Sequence, residues 1–288
     1  MKKQRIDAYQ VITDKIIAAL EAGTRPWEKS WATTGGLPLR HNGVPYQGIN
    51  VWLLGMSPAN VGRHWFTYKQ AEALGAQVRK GEKGSQIIFF KPLKIKDKES
   101  GEEKKIPLIK IYNVFNQSQI DGLPAKFDAP VVEQNAEERD AAAQAFFDAV
   151  GFATKHGGDL AFYIPSQDYV QMPKFETFES GEAYYATLAH EYVHMTGHES
   201  RLDRNLKNSN GTRDYAKEEL IAEMGAAFVM GGLGLSAEPR EDHASYLASW
   251  LEVLKADNKA IVRAGSAAQK AADFIFEAAD QKLNKEVA

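Results

Sequence analysis

His190-Glu191-Tyr192-Val193-His194 reads H-E-x-x-H inside a run, Glu182 to Met195, that holds no Pro and no Gly. Such a run predicts a helix, and at about 3.6 residues per turn, residues four apart share one face. Both imidazoles can therefore point at one metal ion. Glu191 follows one step round, close enough to reach the ion's open side. Two neutral His ligands, a carboxylate base and room for a third ligand are the needs of a mononuclear zinc hydrolase.

A chance match needs no third ligand, so the sequence downstream matters. In Lys217-Glu218-Glu219-Leu220-Ile221-Ala222-Glu223, the carboxylates Glu219 and Glu223 are four apart and share a helical face. Leu220, Ala227 and Phe228 make a separate apolar stripe. A Glu on a second helix after H-E-x-x-H completes a two-His-one-Glu zinc site. Glu219 is assigned to the ion and Glu223 to the outer position, where it orients a ligating His. Glu218 points to a different face and is set aside. The longer pattern ending in a third His fails, because that place holds Ser200. His198 is disfavoured: ligands at i, i+4 and i+8 of a straight helix span about 12 Å, against metal bonds of about 2.1 Å. Tyr215 and His243 are candidate donors to an oxyanion, although spacing alone places neither near the ion.

With 288 residues, 44% hydrophobic and 25% charged, the chain suits one large or two medium soluble domains. It has no cysteine, which excludes disulfides and thiolate zinc sites and fits a reducing compartment. The start, Met1 to Asp7, lacks the apolar run of a secretory signal, and no stretch of about 18 apolar residues predicts a membrane span. A cytoplasmic protein is expected. The net charge of −3 hides a split. Residues 1–120 carry 19 Lys and Arg against 10 Asp and Glu, net +9; residues 121–288 carry 16 against 28, net −12. The basic half is the candidate for a polyanionic partner.

Helices are expected over 6–22, before Gly23, and over 69–74, before Gly75. Strands are expected at 64–68, 86–92 and 108–115, with a charged hairpin tip over 93–107. The apolar run 49–55 fits either type. A Pro-containing linker, 121–137, divides a domain at 1–125 from one at 126–288. The second begins with a helix at 138–150 and short strands at 160–164 and 169–172, and ends in helical sequence from 241 to about 285. The fold class is α+β: a first half with a curved antiparallel sheet, then a mainly helical half with a small sheet whose edge can pair with an extended peptide.

Trp27, Trp31, Trp52 and Trp65 all precede residue 66 and are interleaved with Arg25, Lys29, Arg40, Arg63 and Lys69, and with Tyr46. Rings that stack on unpaired bases, beside cations that track phosphates, suit single-stranded nucleic acid. Arg79-Lys80-Gly81-Glu82-Lys83-Gly84 adds a basic turn whose glycines let backbone N–H groups approach phosphate. Trp27, Trp31, Tyr46 and Trp65 are the aromatic candidates; Arg25, Lys29, Arg40, Arg63, Lys69, Arg79, Lys80 and Lys83 are the cationic ones.

Taken together, Pro26–Trp31, Pro45–Asn50, Trp65–Ala71 and Val78–Gly84 resemble the N-terminal domain of the ArdC antirestriction family. His190–His198, Arg201-Leu202-Asp203-Arg204 and Glu218–Phe228 resemble that family's zincin-like peptidase domain. The resemblance implies binding of single-stranded DNA, a metalloprotease-type site and protection of incoming conjugative plasmid DNA from the recipient's restriction enzymes. It implies zinc, with manganese or cobalt also compatible with two imidazoles and a carboxylate. The protein substrate is unidentified; a component of host restriction is the candidate. The alternative is a replication or primase accessory protein that binds single strands and keeps a structural or vestigial metal site. Against it stand the retained base at Glu191, and the absence from the sequence of a Walker A motif and of an acidic triad for nucleotidyl transfer.

Overall fold

A computed structural model describes residues 7–24, 26–28, 34, 36–96, 103–127, 136–206, 212–236 and 246–286. Helix α1 (Ala8–Glu21) starts where the Asp7 carboxylate accepts the backbone N–H groups of Tyr9 and Gln10. It buries Ile12, Ile16 and Leu20. The ambiguous run 49–55 forms helix α2 (Ile49–Gly55), in which every residue but the half-buried Asn50 is buried, so it shows almost no polar face. Helix α3 (Tyr68–Ala73) begins with a capping box between Thr67 and Gln70.

In the first half, β1 (Leu39–Arg40), β2 (His64–Phe66), β4 (Ser85–Lys96) and β5 (Glu103–Asn116) form a curved sheet in the order β1-β2-β5-β4. Only the β1–β2 pairing is parallel. The charged segment expected as a hairpin tip is largely strand: β4 and β5 stay in register from Ser85↔Val114 to Lys96↔Glu103. Asn50 of α2 covers part of the β4 edge, since its amide donates to the Ile88 carbonyl and accepts the Ile88 N–H, both at 2.8 Å. Strands β3 (Gln77–Val78) and β6 (Ile120–Asp121) form a separate antiparallel pair.

The second half opens with α4 (Ala136–Val150) and a three-stranded sheet of β7 (Thr154–His156), β8 (Phe162–Ile164) and β9 (Tyr169–Met172), ordered β7-β9-β8. Strand β7 was not foreseen from the sequence. Helices α5 (Gly181–Thr196), α6 (Arg213–Gly232), α7 (Leu247–Ala256) and α8 (Ala260–Glu286) complete it. Helices α5 and α6 approach closely at Gly225, where an added Cβ would stand 2.7 Å from a methyl of Val193.

The apolar core runs across residue 125. Trp27 meets Trp250 edge-on at 5.4 Å, and Trp52 lies 4.6 Å from Phe228. Helix α1 packs on α7, and α2 on α8. Thr13 donates to the Asn258 carbonyl at 2.7 Å.

Two outcomes are expected. Far-UV circular dichroism and tryptophan fluorescence should report one denaturant transition for the whole chain, and Trp250→Ala should lower stability by about 3–5 kcal/mol. Two well-separated transitions would contradict the shared core. Gly225→Ala should cost about 1–3 kcal/mol by overpacking the α5–α6 contact.

Candidate metal centre and nucleic-acid interface

Helix α5 is capped by Ser180, whose hydroxyl accepts the Ala183 N–H, and α6 by Thr212, which accepts the Tyr215 N–H. The two helices lay His190, His194, Glu218, Glu219 and Glu223 against one another. The Nε2 atoms of His190 and His194 are 3.1 Å apart. Glu219 Oε1 lies 3.4 Å from His194 Nε2, and its Oε2 lies 3.6 Å from His190 Nε2. Donors bonded at about 2.1 Å to a tetrahedral ion stand about 3.4 Å apart. The observed separations bracket that value. Two imidazole nitrogens this close also require a proton or a cation between their lone pairs. His190, His194 and Glu219 thus form a buried cluster able to hold a metal ion.

The other ring nitrogens have carboxylate partners. His190 Nδ1 lies 3.0 Å from Glu223, and His194 Nδ1 lies 3.2 Å from Glu218. Each partner fixes its ring's orientation and tautomer. Glu218, which the sequence reading set aside, therefore belongs to the centre. Two ligating imidazoles each need an outer acceptor, and the third carboxylate of E-E-x-x-x-E was the available signal. Arg204 neutralises Glu218 at 2.8 Å and donates to the Val193 carbonyl and Thr196 hydroxyl at 2.6 and 2.9 Å. Burial opposes charge on His194, but hydrogen bonds and charges from Glu218 and Glu219 outweigh it and push its pKa up to about 10. Burial also opposes ionisation of Glu219 and Glu218, and their His and Arg partners hold both below the ordinary range.

The cluster floors a cleft of about 350 Å³ that Glu191, Phe162, Tyr215 and Tyr246 also line. The hydroxyls of Tyr215 and Tyr246 are 3.3 Å apart. Burial, the Tyr246 hydrogen bond and the Glu219 charge all raise the Tyr215 pKa, so its O–H stays a donor. The cleft wall is β8, an edge strand. Arg201 fastens that wall to the end of α5: its guanidinium reaches the Met195 carbonyl, Asp168 and the Tyr163 hydroxyl. His198 lies outside the cluster, with Nδ1 2.8 Å from the Ser200 hydroxyl. His243 lies outside the described residues.

The structure scatters the nucleic-acid candidates. Trp27 and Trp65 are 1% and 0% exposed. Their ring faces are occupied by the core, so as placed they differ from the expected platforms. Tyr46 is buried, with the Arg40 guanidinium 5.5 Å above its ring. Arg63 is half-buried and donates to the Leu37 carbonyl. Arg79 is engaged by Glu82 at 2.9 Å and Asp121 at 3.3 Å. Arg40, Lys69, Lys80 and Lys83 are exposed. Arg25, Lys29 and Trp31 fall outside the described residues. A groove of about 1460 Å³, lined by Lys15, Met56, Ser57, Lys83 and Gln86 among others, shares no lining residue with the cleft at the metal cluster. Among the described residues no helix is long and apolar enough to cross a membrane.

Residues 6–115 match the model of the N-terminal domain of anti-restriction factor ArdC, and residues 141–267 match that of a zincin-like metallopeptidase. An uncharacterised protein, y4eC of Sinorhizobium fredii (strain NBRC 101917 / NGR234), is 38% identical over 98% of this chain and 95% of its own. DNA primase TraC of Escherichia coli is 38% identical over 96% of this chain, which spans only 20% of that longer protein. The metal-free crystal structure of the antirestriction ArdC protein from plasmid R388 superposes with a TM-score of 0.83 at 46% identity, covering 96% of this chain and 99% of that one. Its Mn(II)-bound form superposes with a TM-score of 0.80 at 44% identity, over 95% and 98%. Matches to both halves in one order, and to a whole solved relative from end to end, make this chain a member of the ArdC antirestriction family.

Proposed function

We propose that the protein binds single-stranded DNA through residues 1–125, carries a metal-dependent peptidase-type site in 126–288, and protects incoming conjugative plasmid DNA from host restriction. The observation that carries this reading is the triangle of His190, His194 and Glu219 donors beside Glu191 in an open cleft, joined to a half of net charge +9. Near end-to-end likeness to the R388 protein supports the antirestriction role. The likeness to TraC favours one alternative, a single-strand-binding accessory of replication whose metal site is structural.

His190, His194 and Glu219 would ligate the ion, with Glu218 and Glu223 holding the rings. Zinc or manganese fits two imidazoles and a carboxylate, and the Mn(II)-bound relative favours testing manganese first. A bound divalent ion supplies a Lewis acid and brings the pKa of water towards about 7. Glu191 serves as the base: its carboxylate takes a proton from the attacking water and returns it to the leaving amine. Tyr215 and Tyr246 donate O–H bonds to the developing oxyanion. An extended peptide of an unidentified protein, a component of host restriction being the first candidate, pairs with the edge of β8. The site of action is the cytoplasm.

His194→Ala should abolish stoichiometric metal after dialysis, and Glu218→Ala or Glu223→Ala should each weaken it by roughly 10–100-fold; metal analysis by mass spectrometry reads this. Full retention of metal by the Glu218 and Glu223 variants would remove them from the centre.

The pH dependence has a definite sign. The raised pKa of His194 means that an entering ion displaces a proton at neutral pH. Affinity should therefore climb as pH rises from 6 to 8. The stabilisation that the protonated ring itself provides runs the other way: it is full below the ordinary His value of 6.5 and is lost as pH rises towards about 10. Calorimetric titration in buffers of different ionisation enthalpy should report proton release; a buffer-independent heat would refute it.

Glu191→Gln should keep both the ion and, within about threefold, the DNA affinity, while losing any turnover. Conjugation into restricting and non-restricting recipients then separates the mechanisms. Loss of protection by Glu191→Gln requires the base. Equal transfer of wild-type and variant plasmids leaves occupancy of DNA as the protective act.

A further inference from the structure

A base stacks only on an open ring. Among the described aromatics of the basic half, Trp27, Trp52 and Trp65 offer none, because all three lie in the core. The large aromatics left exposed there are Tyr68, Phe89, Phe90 and Tyr112. Tyr68 is held at its hydroxyl by the Gln77 amide, 2.7 Å away. Phe90 lies in the wall of a crevice shared with Tyr9 and α8. Phe89 and Tyr112 remain.

These two rings form a pair. They are 51% and 43% exposed, and their centroids stand 6.1 Å apart at 90°. Cross-strand partners in an antiparallel sheet project to the same side. Phe89 is opposite Lys110 and Tyr112 is opposite Ile87, so all four share one face of the β4–β5 hairpin. Lys110 is exposed. The alternate positions Ile88 and Ile111 turn to the other face; on the Phe89 face the end at Ile87 and Val114 packs on the core, and the two rings and Lys110 continue that face to where it is exposed. The surrounding sequence is basic: residues 91–110 carry seven Lys against four Asp and Glu.

We propose that Phe89 and Tyr112, with Lys110 beside them on the exposed part of one face of the β4–β5 hairpin, are the platform on which bases of single-stranded DNA stack. This rests on the single-strand-binding function proposed above and assigns that function to residues other than the buried Trp27 and Trp65. The arrangement fits the ligand in three respects. A sheet holds its side chains at fixed spacing, so two rings are offered without ordering cost. Rings take any base, which suits binding without sequence preference. A lysine in the same row meets the phosphates between the stacked bases. A purely apolar protein partner would leave Lys110 unmatched.

The test uses the full chain and a labelled oligo(dT) of about 30 nucleotides, read by fluorescence anisotropy across a salt series. The double variant Phe89→Ala/Tyr112→Ala should bind roughly tenfold or more weakly, with its thermal unfolding midpoint unchanged. Phe89→Tyr/Tyr112→Phe, which keeps both rings, should bind as wild type. Lys110→Ala should lower the slope of log affinity against log salt by about one. An oligomer of abasic deoxyribose phosphates separates stacking from charge: wild type and the double alanine variant should bind it equally. If wild type binds oligo(dT) and the double alanine variant binds it equally well, the platform is wrong while single-strand binding stands. If wild type fails to bind oligo(dT) at low salt, both fall.

Discussion

The metal centre depends on how closely α5 can approach α6. Gly225 has no Cβ, and Val193 fills that space. At this separation His190 and His194 of α5 reach the carboxylates of α6. The four-residue spacing of His190 and His194 on α5 answers the four-residue spacing of Glu219 and Glu223 on α6. Glu219 falls between the two Nε2 atoms, while Glu218 and Glu223 take the outer nitrogens. A Cβ at 225 would widen the gap along the whole row. The core contact therefore sets the spacing of the ligands.

Burying two imidazoles and three carboxylates is costly unless every charge is met. Here the polar groups are met in a chain. Glu218 reaches both His194 and Arg204, and Arg204 in turn satisfies carbonyl and hydroxyl groups at the end of α5. Arg201, three residues earlier, performs the matching task for the cleft wall through Asp168 and Tyr163. The segment that follows α5 is thus a clamp. One of its arginines steadies the ligand cage and the other steadies the strand beside it.

Local periodicity made much of this readable. The run Glu182–Met195 and its two His belong to α5 and the Glu219–Glu223 pair to α6, and each could be read from the spacing within its own helix. Glu218 was missed because facing was judged on α6 alone, whereas its partner belongs to α5. The apolar run 49–55 could not be typed because a helix buried all round loses its polar face, which is the usual signal. Tryptophans beside lysines look alike in sequence whether they stack on bases or on one another. Only tertiary packing separated Trp27 and Trp65, enclosed in the core, from Phe89 and Tyr112, which stay in the open. Segments 93–96 and 103–107 read as a hairpin tip because of their charge, although Leu93-Lys94-Ile95-Lys96 alternates as a strand does and the pairing runs on to Lys96↔Glu103.

The Trp27–Trp250 and Trp52–Phe228 contacts have a consequence for inheritance. A genetic crossover near residue 125 would join one N-terminal half to a metal-site half that had not been shaped against it. The hybrid would have to fit one interlocked set of large rings from two unrelated origins. Packing of this kind tolerates few mismatches, so exchange between plasmids should favour moving both halves as a single cassette. Selection on either half then preserves the other, because the two share the residues that keep them folded.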